Sequence, residues 1–324
     1  MNETLSAEVL DVIVVGAGPA GLNAALVLAR ARRRILVLDS GAPRNAASHE
    51  MHGYLSRDKL DPAELRRIGR AEVLAYPSAS LVGAAVAGAE RTPDGFLVRT
   101  QTGDTYRTRK LLLAVGIRDE LPEIPGLSDF YGTTVFHCPY CDGWESRDRA
   151  IALLGTGSGA VRTGKLLLSW TSDVVVCTGA PGGLDAAAIA DLEGAGVRVD
   201  ERRISQLIGS DGQLSAVQFE DGTTLPRDIL FFHADVVVAS TLPAAIGCAF
   251  TDAGRIEVDE GGRTSVAGVS AVGDCARRAG QHPATQVIIA AASGSVAAIT
   301  LHQDLMAEDV GLIPALPDLR PAMR

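Results

Sequence analysis

The stretch that decides the fold is Val12-Ile13-Val14-Val15-Gly16-Ala17-Gly18-Pro19-Ala20-Gly21. Its four apolar residues predict a strand buried on both faces of a parallel sheet, and this strand runs directly into a G-x-G-x-x-G turn. The first glycine makes the turn, the second lets a pyrophosphate approach backbone N–H groups, and the third lets the next helix pack against the strand. The stretch therefore predicts the opening of a dinucleotide-binding fold.

The residues that follow complete the same unit. A helix of small and apolar residues is predicted over 22–29, and Ile35-Leu36-Val37-Leu38 predicts a second buried strand. This strand ends at Asp39, 23 residues after Gly16, where a carboxylate accepts hydrogen bonds from a ribose. Strand, turn, helix, strand and acid together predict nucleotide binding much more strongly than the glycine motif does by itself.

Two later segments predict a return to this first fold. Residues 111–116, LLLAVG, form a buried strand that ends in a glycine and so permits close backbone contact. Residues 269–274, VSAVGD, form another strand, ending in Gly-Asp and followed by a predicted helix of small residues over 286–298. A carboxylate at the end of a strand can bind a ribityl hydroxyl, and a helix N-terminus can stabilise a negatively charged flavin. These segments therefore favour a flavin as the ligand.

The region between these strands is less informative. The segment from Arg44-Asn45 to His52 is polar and irregular, and it is either a surface loop or a loop that lines the cofactor. An amphipathic helix is predicted over 62–75, with Pro62 near its start, and an antiparallel meander is predicted over 81–108.

The strand-and-glycine pattern occurs again in the middle of the chain. Ile151-Ala152-Leu153-Leu154 leads into the G-x-G-x-x-A sequence of residues 155–160, and a helix and the strand Val174-Val175-Val176 follow. This internal repeat predicts a second nucleotide fold. At the position that corresponds to Asp39 stands Thr178, which is neither the acid that binds an NAD ribose nor an arginine that binds an NADP phosphate. The sequence therefore gives no support for NADP(H) binding by the second fold.

Just before the second fold lies the pair of cysteines in Cys138-Pro139-Tyr140-Cys141. A C-x-x-C pair opens and closes a disulfide at little conformational cost and is reactive at neutral pH when one thiol pKa is lowered. The alternative is zinc, since C-x-x-C is half of a zinc site, but the other cysteines stand singly and His137 adds only one ligand. A structural disulfide is the third interpretation, and it is unusual without an export signal. Redox chemistry without a metal is therefore predicted.

Composition excludes several classes of protein. A length of 324 residues suggests about two domains, and 47% hydrophobic and 21% charged residues are typical of a globular protein. The net charge of −9 offers no basic surface for nucleic acid. No apolar stretch reaches the roughly 18 residues of a membrane helix, and five cysteines without a signal-peptide pattern favour a cytoplasmic location. The proline-containing tail 314–324 is expected to be an extended arm or disordered.

Taken together, these motifs resemble those of a low-molecular-weight thioredoxin reductase-type flavoprotein. The resemblance implies an α/β fold of two Rossmann-like (three-layer ββα) nucleotide-binding domains, the second inserted in the first. Residues 1–117 and 242–324 would form the FAD-binding domain, and residues 118–241 would form the NAD(P)H-like domain that carries the cysteine pair. The matching residues are Gly16 to Gly21, Asp39, Leu113 to Gly116, Cys138 to Asp142, Gly155 to Ala160, Gly273-Asp274 and Gln286-Val287.

The resemblance also implies roles for individual residues. Cys141 would be the thiol that lies against the flavin, and Cys138 would exchange with the substrate. Asp142 would donate and accept protons if burial raises its pKa, although a simple Asp-Gly turn is an alternative; His137 is a second candidate base or a packed side chain. The implied FAD-binding residues are Gly16, Gly18, Pro19, Ala20, Gly21, Asp39, Ser40, Arg44, Asn45, His52, Val86, Ala114, Gly116, Gly273, Asp274, Gln286 and Val287.

Two departures from thioredoxin reductases narrow the resemblance. Thr178-Gly179-Ala180 replaces the basic cluster that binds the NADPH phosphate, and the pair is C-P-Y-C between His137 and Trp144-Glu145. Both features are similar to the FAD-dependent dithiol oxidases of disulfide natural-product biosynthesis, which act on holomycin-, gliotoxin- and romidepsin-type molecules. This implies oxidation of a small-molecule dithiol to an intramolecular disulfide, with O2 as acceptor and H2O2 as product, by a homodimer. The alternatives are an NADPH-dependent disulfide reductase and a flavin redox sensor without turnover.

Overall fold

A computed structural model describes residues 9–312, so the predicted arm at 314–324 lies outside the described residues. Contacts divide the chain into two compact units. The first unit contains the residues up to Arg44, Ala63–Arg118 and the residues from Val237 onward. The second unit contains Asn45–Pro62 and Asp119–Val236.

The helices and strands are numbered in chain order. The strands are β1 (Leu10–Val15), β2 (Ile35–Leu38), β3 (Ala79–Val82), β4 (Val86–Thr92), β5 (Gly95–Thr100), β6 (Thr105–Leu113), β7 (Ile117–Glu120), β8 (Val135–Phe136), β9 (Ile151–Leu154), β10 (Val174–Cys177), β11 (Arg198–Asp200), β12 (Ile204–Ser210), β13 (Gln213–Phe219), β14 (Thr224–Pro226), β15 (Ile229–Phe232), β16 (Asp235–Val238), β17 (Ile256–Glu257), β18 (Val269–Ala271) and β19 (Ala276–Arg277). The helices are α1 (Pro19–Arg30), α2 (Pro62–Leu74), α3 (Leu127–Phe130), α4 (Pro139–Asp142), α5 (Gly157–Leu167), α6 (Ala186–Gly194), α7 (Leu242–Ala245) and α8 (Val287–Asp309).

The first unit is built on a largely parallel sheet. Strands β3, β2, β1 and β6 are parallel neighbours in that order, and β18 runs parallel to the second half of β6. The first half of β6 instead pairs with β5 and then β4 in an antiparallel meander. Residues Val12–Val14 are fully buried, as expected for a central strand covered on both faces. The predicted strands and helix α2 are confirmed. The antiparallel meander is confirmed over β4, β5 and β6, but residues 81–82, predicted as its start, belong to the parallel strand β3.

Helix α8 is longer than the sequence indicated, since it continues from the predicted segment to Asp309. It packs against α1 so closely that a Cβ atom added at Gly294 would lie 2.2 Å from the carbonyl oxygen of Ala20. Among residues 9–312 it is the one helix that is long and apolar enough to cross a membrane, contrary to the sequence analysis, but buried core helices pass the same test. Because Ala297 and Leu301 are buried in the core formed with α1, we interpret α8 as a core helix.

The second unit contains a parallel sheet with the strand order β11-β10-β9-β15-β8. Helices α5 and α6 connect its first strands, and an antiparallel sheet of β12, β13 and β14 completes the unit. Strand β9, the glycine turn and α5 repeat the arrangement of β1, its turn and α1. The chain therefore has an α/β fold with two Rossmann-like units, the second inserted in the sequence of the first.

One segment groups differently from the expected domains. Residues 45–62 were assigned to the first domain from the sequence, but their contacts place them in the second unit. The reason is close packing: a Cβ atom at Gly132 would lie 2.4 Å from the carbonyl oxygen of Ala47, and His52 lies beside Glu145. The unit boundaries fall after Arg118 and after Val236, whereas the sequence indicated 118 and 241.

Candidate redox-active and nucleotide sites

The cysteine pair lies on a single helical turn of the second unit. Cys138 precedes α4, and its carbonyl oxygen accepts hydrogen bonds from the N–H groups of Cys141 (3.0 Å) and Asp142 (3.2 Å). This turn brings the two Cα atoms to 5.2 Å, and the sulfur atoms are bonded to each other in a disulfide. Among residues 9–312 no group of three or more His, Cys, Asp or Glu side chains could hold a metal ion. The two sulfur atoms are therefore placed for a disulfide that can open and close.

The remaining cysteines have environments that suppress thiol reactivity. Cys177, Cys248 and Cys275 are free and buried. Burial raises the pKa of Cys177 to about 12 and that of Cys275 to about 11, and it also raises the pKa of Cys248. Since the thiolate is the nucleophile, thiol chemistry in this chain belongs to Cys138 and Cys141.

Asp142, next to Cys141, has an altered proton affinity. Burial, and secondly the negative charge of Glu145, raise its pKa from 3.8 to about 7. A carboxyl group with this pKa can both donate and accept a proton at neutral pH. Glu145 is itself within 3.7 Å of His52 Nε2, so His52, a sequence-predicted cofactor ligand, lies with the redox pair's unit.

His137 contacts Tyr131, which in turn bonds to Asp119, and sequence reasoning missed both residues. The hydroxyl of Tyr131 donates a hydrogen bond to Asp119 Oδ2 (3.0 Å) and lies 3.3 Å from His137 Nδ1. The ring of Tyr131 also packs against Phe232 of β15, with ring centroids 6.0 Å apart. The three polar residues come from β7, from the turn after α3 and from the end of β8, so no spacing in the sequence relates them.

Aromatic side chains surround the redox turn. A Cβ atom at Gly143 would lie 2.8 Å from the ring of Trp170, so the turn rests directly on this indole. Tyr140, between the cysteines, meets the edge of Trp170 with centroids 5.9 Å apart, and it is 68% exposed. Trp144 is 63% exposed, and the guanidinium of Arg147 lies 4.3 Å from the centre of its ring. The redox pair thus has an accessible aromatic border.

In the first unit, the glycine turn has the shape that a dinucleotide requires. Gly16 has φ +106°, and a Cβ atom there would lie 2.3 Å from the carbonyl oxygen of Ala114. A Cβ atom at Gly21 would lie 1.9 Å from the carbonyl oxygen of Gly16, so only glycine fits there. At Gly18, by contrast, a Cβ atom would meet nothing within 4 Å. The turn is tight on its inner side and open just before Pro19 starts α1, where a pyrophosphate would approach.

Asp39 lies at the end of β2 beside this turn. Its Oδ1 accepts a hydrogen bond from the N–H group of Ala17 (3.0 Å), and Arg70 of α2 pairs with its Oδ2. Sequence reasoning missed Arg70, which follows Asp39 by 31 residues. Each carboxylate oxygen can accept more than one hydrogen bond, so Asp39 remains suited to bind a ribose.

Several arginine side chains of the same unit lie near the carboxylate of the Gly-Asp segment, Asp274. Arg44 Nη1 lies 3.3 Å from Asp274 Oδ2 and 3.4 Å from Thr285 Oγ1. Burial raises the pKa of Asp274, while Arg44, Arg255 and Arg277 act against this rise. Guanidinium groups are also suited to bind a diphosphate. The residues of the first unit therefore fit a flavin adenine dinucleotide.

The other predicted cofactor residues are dispersed through the first unit, with one exception. Ala114 donates its N–H to Val15 O, and Gly273 donates its N–H to Ser293 Oγ. Ser40 follows the exposed end of β2, Val86 starts the edge strand β4, and Ala20 lies in the first turn of α1. Gly116 has a left-handed conformation (φ +67°) after β6, and Gln286 and Val287 lie at the start of α8. The exception is Asn45, which lies in the 3₁₀ helix Arg44–Ala47 and groups with the second unit.

The glycine turn of the second unit differs from that of the first. The N–H group of Gly157, its second glycine, donates a hydrogen bond to the carbonyl oxygen of Gly183 (3.0 Å), which lies in the loop after β10. This loop is tightly held, because a Cβ atom at Gly183 would lie within 2.9 Å of the side chains of Thr156 and Thr178. An open groove of about 710 Å³ between α5 and α6 borders both glycines. A nucleotide phosphate in this groove would compete with the carbonyl oxygen of Gly183 for the N–H group of Gly157.

Comparison with known proteins agrees with this architecture. The model of the pyridine nucleotide-disulphide oxidoreductase family matches residues 10–295. The chain belongs to this family. Among curated relatives of the oxidoreductase, "Thioredoxin reductase tcpT" from Claviceps purpurea is 31% identical over 280 residues, covering 83% of this chain and 87% of the relative. "Thioredoxin reductase sirT" from Leptosphaeria maculans is 30% identical and covers 88% and 91%.

Solved structures resemble the oxidoreductase over nearly its full length. The structure of HlmI is 40% identical, with a TM-score of 0.89, and covers 95% of this chain and 96% of HlmI. A putative thioredoxin reductase, TrxB, from Bacillus anthracis is 33% identical, with a TM-score of 0.87, and covers 93% and 99%. The oxidoreductase is therefore thioredoxin reductase-like in sequence and in fold, and FAD is the flavin that this family generally binds.

Proposed function

We propose that the protein is an FAD-dependent oxidase that converts a small-molecule dithiol to an intramolecular disulfide, with O2 as electron acceptor and H2O2 as product. The observation that carries the proposal is the hydrogen bond that ties the glycine turn of the second unit to the loop after β10. The N–H group of Gly157 donates a hydrogen bond to Gly183 O, and Thr178 stands where a nucleotide-binding acid or arginine is expected. A chain that retains a redox disulfide while the glycine turn of its second nucleotide fold is bonded to its own loop is better suited to receive electrons from a dithiol than from NADPH.

The reaction uses the disulfide between Cys138 and Cys141. A substrate thiolate attacks Cys138 Sγ, so a mixed disulfide forms as the bond to Cys141 breaks and Cys141 leaves as a thiolate. The second substrate thiolate then attacks the substrate sulfur of the mixed disulfide, which closes the substrate ring and releases Cys138. The substrate loses two electrons and two protons, and the cysteine pair gains the two electrons. When bound, FAD supplies the two-electron acceptor that restores the disulfide and passes the electrons to O2.

Asp142 donates and accepts protons in this scheme. Because its pKa is about 7, a substantial fraction of the carboxyl groups is protonated at neutral pH and can protonate the leaving Cys141 thiolate. The same group, once ionised, can take the proton back when the disulfide reforms. We further propose that the enzyme is a cytoplasmic homodimer without nucleic-acid or membrane partners.

The second candidate is an NADPH-dependent disulfide reductase, which the names of the relatives favour. An anaerobic titration of the purified flavoprotein with NADPH, NADH or dithiothreitol separates the two, with flavin bleaching as the readout. We expect bleaching by dithiothreitol, by neither nucleotide, and recovery of the yellow colour in air with formation of H2O2. Fast bleaching by NADPH would replace the oxidase with the reductase. Slow bleaching that no dithiol accelerates would instead indicate a redox sensor.

Substitution of the exchanging cysteine tests the mechanism itself. We expect Cys138→Ser to abolish O2 consumption with dithiothreitol, because no disulfide remains for the substrate to attack. Cys248→Ser is the matched control, since this buried thiol lies 3.8 Å from Thr264 Oγ1, a contact that serine can keep. Turnover by Cys138→Ser at the wild-type rate would remove the mechanism.

A further inference from the structure

The imidazole of His52 lies among three carboxylates of the second unit. Its Nε2 lies 3.7 Å from Glu145 Oε1 and 3.7 Å from Glu50 Oε2, and its Nδ1 lies 3.7 Å from Asp58 Oδ1. These distances are too long for hydrogen bonds but within reach of ion pairs, so a protonated ring has a carboxylate beside each nitrogen. Only 13% of the His52 side chain is exposed, so water and salt screen these pairs less than pairs on the open surface.

The loop that carries His52 is fixed on both sides of the ring. The N–H group of Met51 donates a hydrogen bond to Leu60 O (3.0 Å), and the N–H group of Gly53 donates one to Asp58 Oδ1 (2.9 Å). The side chain of Met51 is also buried. The backbone before and after His52 is therefore held, which keeps the imidazole beside Glu145.

Glu145 links this ring to the redox turn. The N–H group of Ser146 donates a hydrogen bond to Asp142 O (3.1 Å), so residues 142–146 form a helical turn on which Asp142 and Glu145, three residues apart, lie on the same side. Like charges at this spacing repel each other. After burial, the charge of Glu145 is the second cause that raises the pKa of Asp142 to about 7. A positive charge that pairs with Glu145 therefore favours the ionisation of Asp142.

From this arrangement we infer that His52 is a positioning residue for proton transfer at Asp142: its imidazolium pairs with Glu145 and offsets the negative charge that Asp142 meets when it gives up its proton. The inference deepens the proposed function and rests on it for the reaction that uses this proton.

The step concerns one proton. As the Cys138–Cys141 bond breaks, the proton of the Asp142 carboxyl group passes to the leaving Cys141 thiolate, and Asp142 becomes a carboxylate. Two carboxylates then stand three residues apart, and the charge of His52 lowers the free energy of that state. When the disulfide reforms, the Cys141 thiol returns its proton to Asp142.

An infrared titration of the Asp142 carboxyl group in the oxidised holoenzyme tests the inference. Its C=O stretch is the band that is lost in Asp142→Asn, and the pH midpoint of this band is the readout. We expect His52→Gln to raise the midpoint by about 0.3–1 pH unit, less than the roughly 1–3 units that an adjacent opposite charge produces. His52→Lys keeps a positive charge and should leave the midpoint at or below the wild-type value. His49→Gln is the matched control, since this histidine of the same segment is exposed, and it should not move the midpoint.

The direction of the change separates this role from a merely structural one. If His52 only held its loop in place, His52→Gln would admit water to Asp142 and lower the midpoint, because hydration favours the ionised carboxylate. A lowered or unchanged midpoint in His52→Gln would therefore overturn the inference.

A double-mutant cycle tests the route through Glu145. Glu145→Gln should lower the midpoint, and His52→Gln should then have little further effect, since the charge that His52 offsets is gone. Equal shifts from His52→Gln in both backgrounds would show that His52 does not act through Glu145.

Turnover of dithiothreitol tests the part of His52 in the reaction. We expect His52→Gln to move the pH profile of kcat towards higher pH, and a profile that does not move would contradict this part. If the wild-type protein oxidises no dithiol, the proposed function fails, and the infrared titration still decides the role of His52.

Discussion

Asp142 holds its proton near neutral pH because its carboxyl group is withdrawn from water and lies near the charge of Glu145. Both effects disfavour the ionised form, so the folded chain binds this proton more tightly than the unfolded chain does. The property that suits Asp142 to proton transfer is therefore also a cost to folding whenever the solution pH favours ionisation.

We expect Asp142→Asn to be more thermostable than wild type at pH 8 and nearly equal to it at pH 4. Between the unfolded pKa of 3.8 and the folded pKa of about 7, the unfolded chain ionises while the folded chain keeps its proton. The contribution of Asp142 to the free energy of unfolding of the wild type therefore falls as the pH rises from 3.8 to about 7, and it is constant at higher pH. Melting temperatures at several pH values measure the effect. A gap of a few degrees is expected at pH 8, since about 1 kcal/mol shifts Tm by ~2–4 °C in chains of 150–250 residues.

The control for this prediction is Asp252→Asn, which changes an exposed carboxylate in the first unit. Its Tm difference from wild type should not vary with pH in the same way. A pH-independent difference for Asp142→Asn as well would show that burial of Asp142 does not govern its proton affinity.

Individual residues also show which parts of the site the sequence could not predict. Cys138, Cys141 and Asp142 could be identified because they lie together in one short sequence motif. Tyr131 and Asp119 could not, because their relation to His137 arises only when β7, the turn after α3 and β8 pack together. Arg70 was missed for the same reason: only the packing of α2 brings it to Asp39.

At the scale of elements, the first nucleotide turn depends on how closely α8 approaches α1. Ala20, in the first turn of α1, presents its carbonyl oxygen to Gly294 of α8. Any side chain at position 294 must push the two helices apart, and the displaced helix is the one whose start faces the pyrophosphate. The position of the turn is thus set partly from more than 270 residues away in the sequence.

We expect Gly294→Ala to lower the free energy of unfolding by about 1–3 kcal/mol, as overpacking does, and to weaken FAD binding. Gly194→Ala is the matched control, because a Cβ atom at this helical glycine of α6 would meet nothing within 4 Å. That change should be neutral or stabilising by about 0.4–1 kcal/mol. Urea unfolding and flavin fluorescence measure the two effects. Equal stability of both variants would show that α1 and α8 separate easily.

The elements themselves were largely predictable, because their signals are local. Continuous apolar runs and glycine turns indicated β1, α1, β9 and α5, and Pro93-Asp94-Gly95 indicated the meander. The end of α8 was not predicted, since its last ten residues are more polar. There, ion pairs of Asp309 with Arg33 and Arg109 hold the helix to the unit.

At the scale of the whole chain, two similar folds differ in one contact of their glycine turns. A Cβ atom at Gly18 or at the equivalent Gly157 would meet nothing within 4 Å, but the N–H group of Gly157 donates a hydrogen bond to the chain's own loop. The repeated glycine pattern could not reveal this difference, because the closing carbonyl belongs to Gly183, outside the motif. Nor could it show that residues 45–62 pack with the second unit, since that grouping depends on tertiary contacts alone.

We expect one FAD per chain and no stabilisation by NADPH or NADP⁺. A nucleotide that bound the folded chain at a hundred times its Kd would add about 2.7 kcal/mol to the free energy of unfolding, which a thermal-shift measurement detects. FAD added to protein stripped of flavin is the positive control. A clear rise in Tm with NADPH would mean that the loop containing Gly183 moves aside for the nucleotide.

The contact between Gly143 and Trp170 gives the protein a built-in optical reporter. The chain has two tryptophans, Trp144 and Trp170, and both border the turn that carries the cysteine pair. A disulfide quenches the emission of a nearby indole more strongly than two thiols do, so opening the pair should brighten the intrinsic fluorescence of the whole molecule. The redox state of Cys138 and Cys141 could thus be followed in real time by stopped-flow emission, without a dye and separately from the flavin colour.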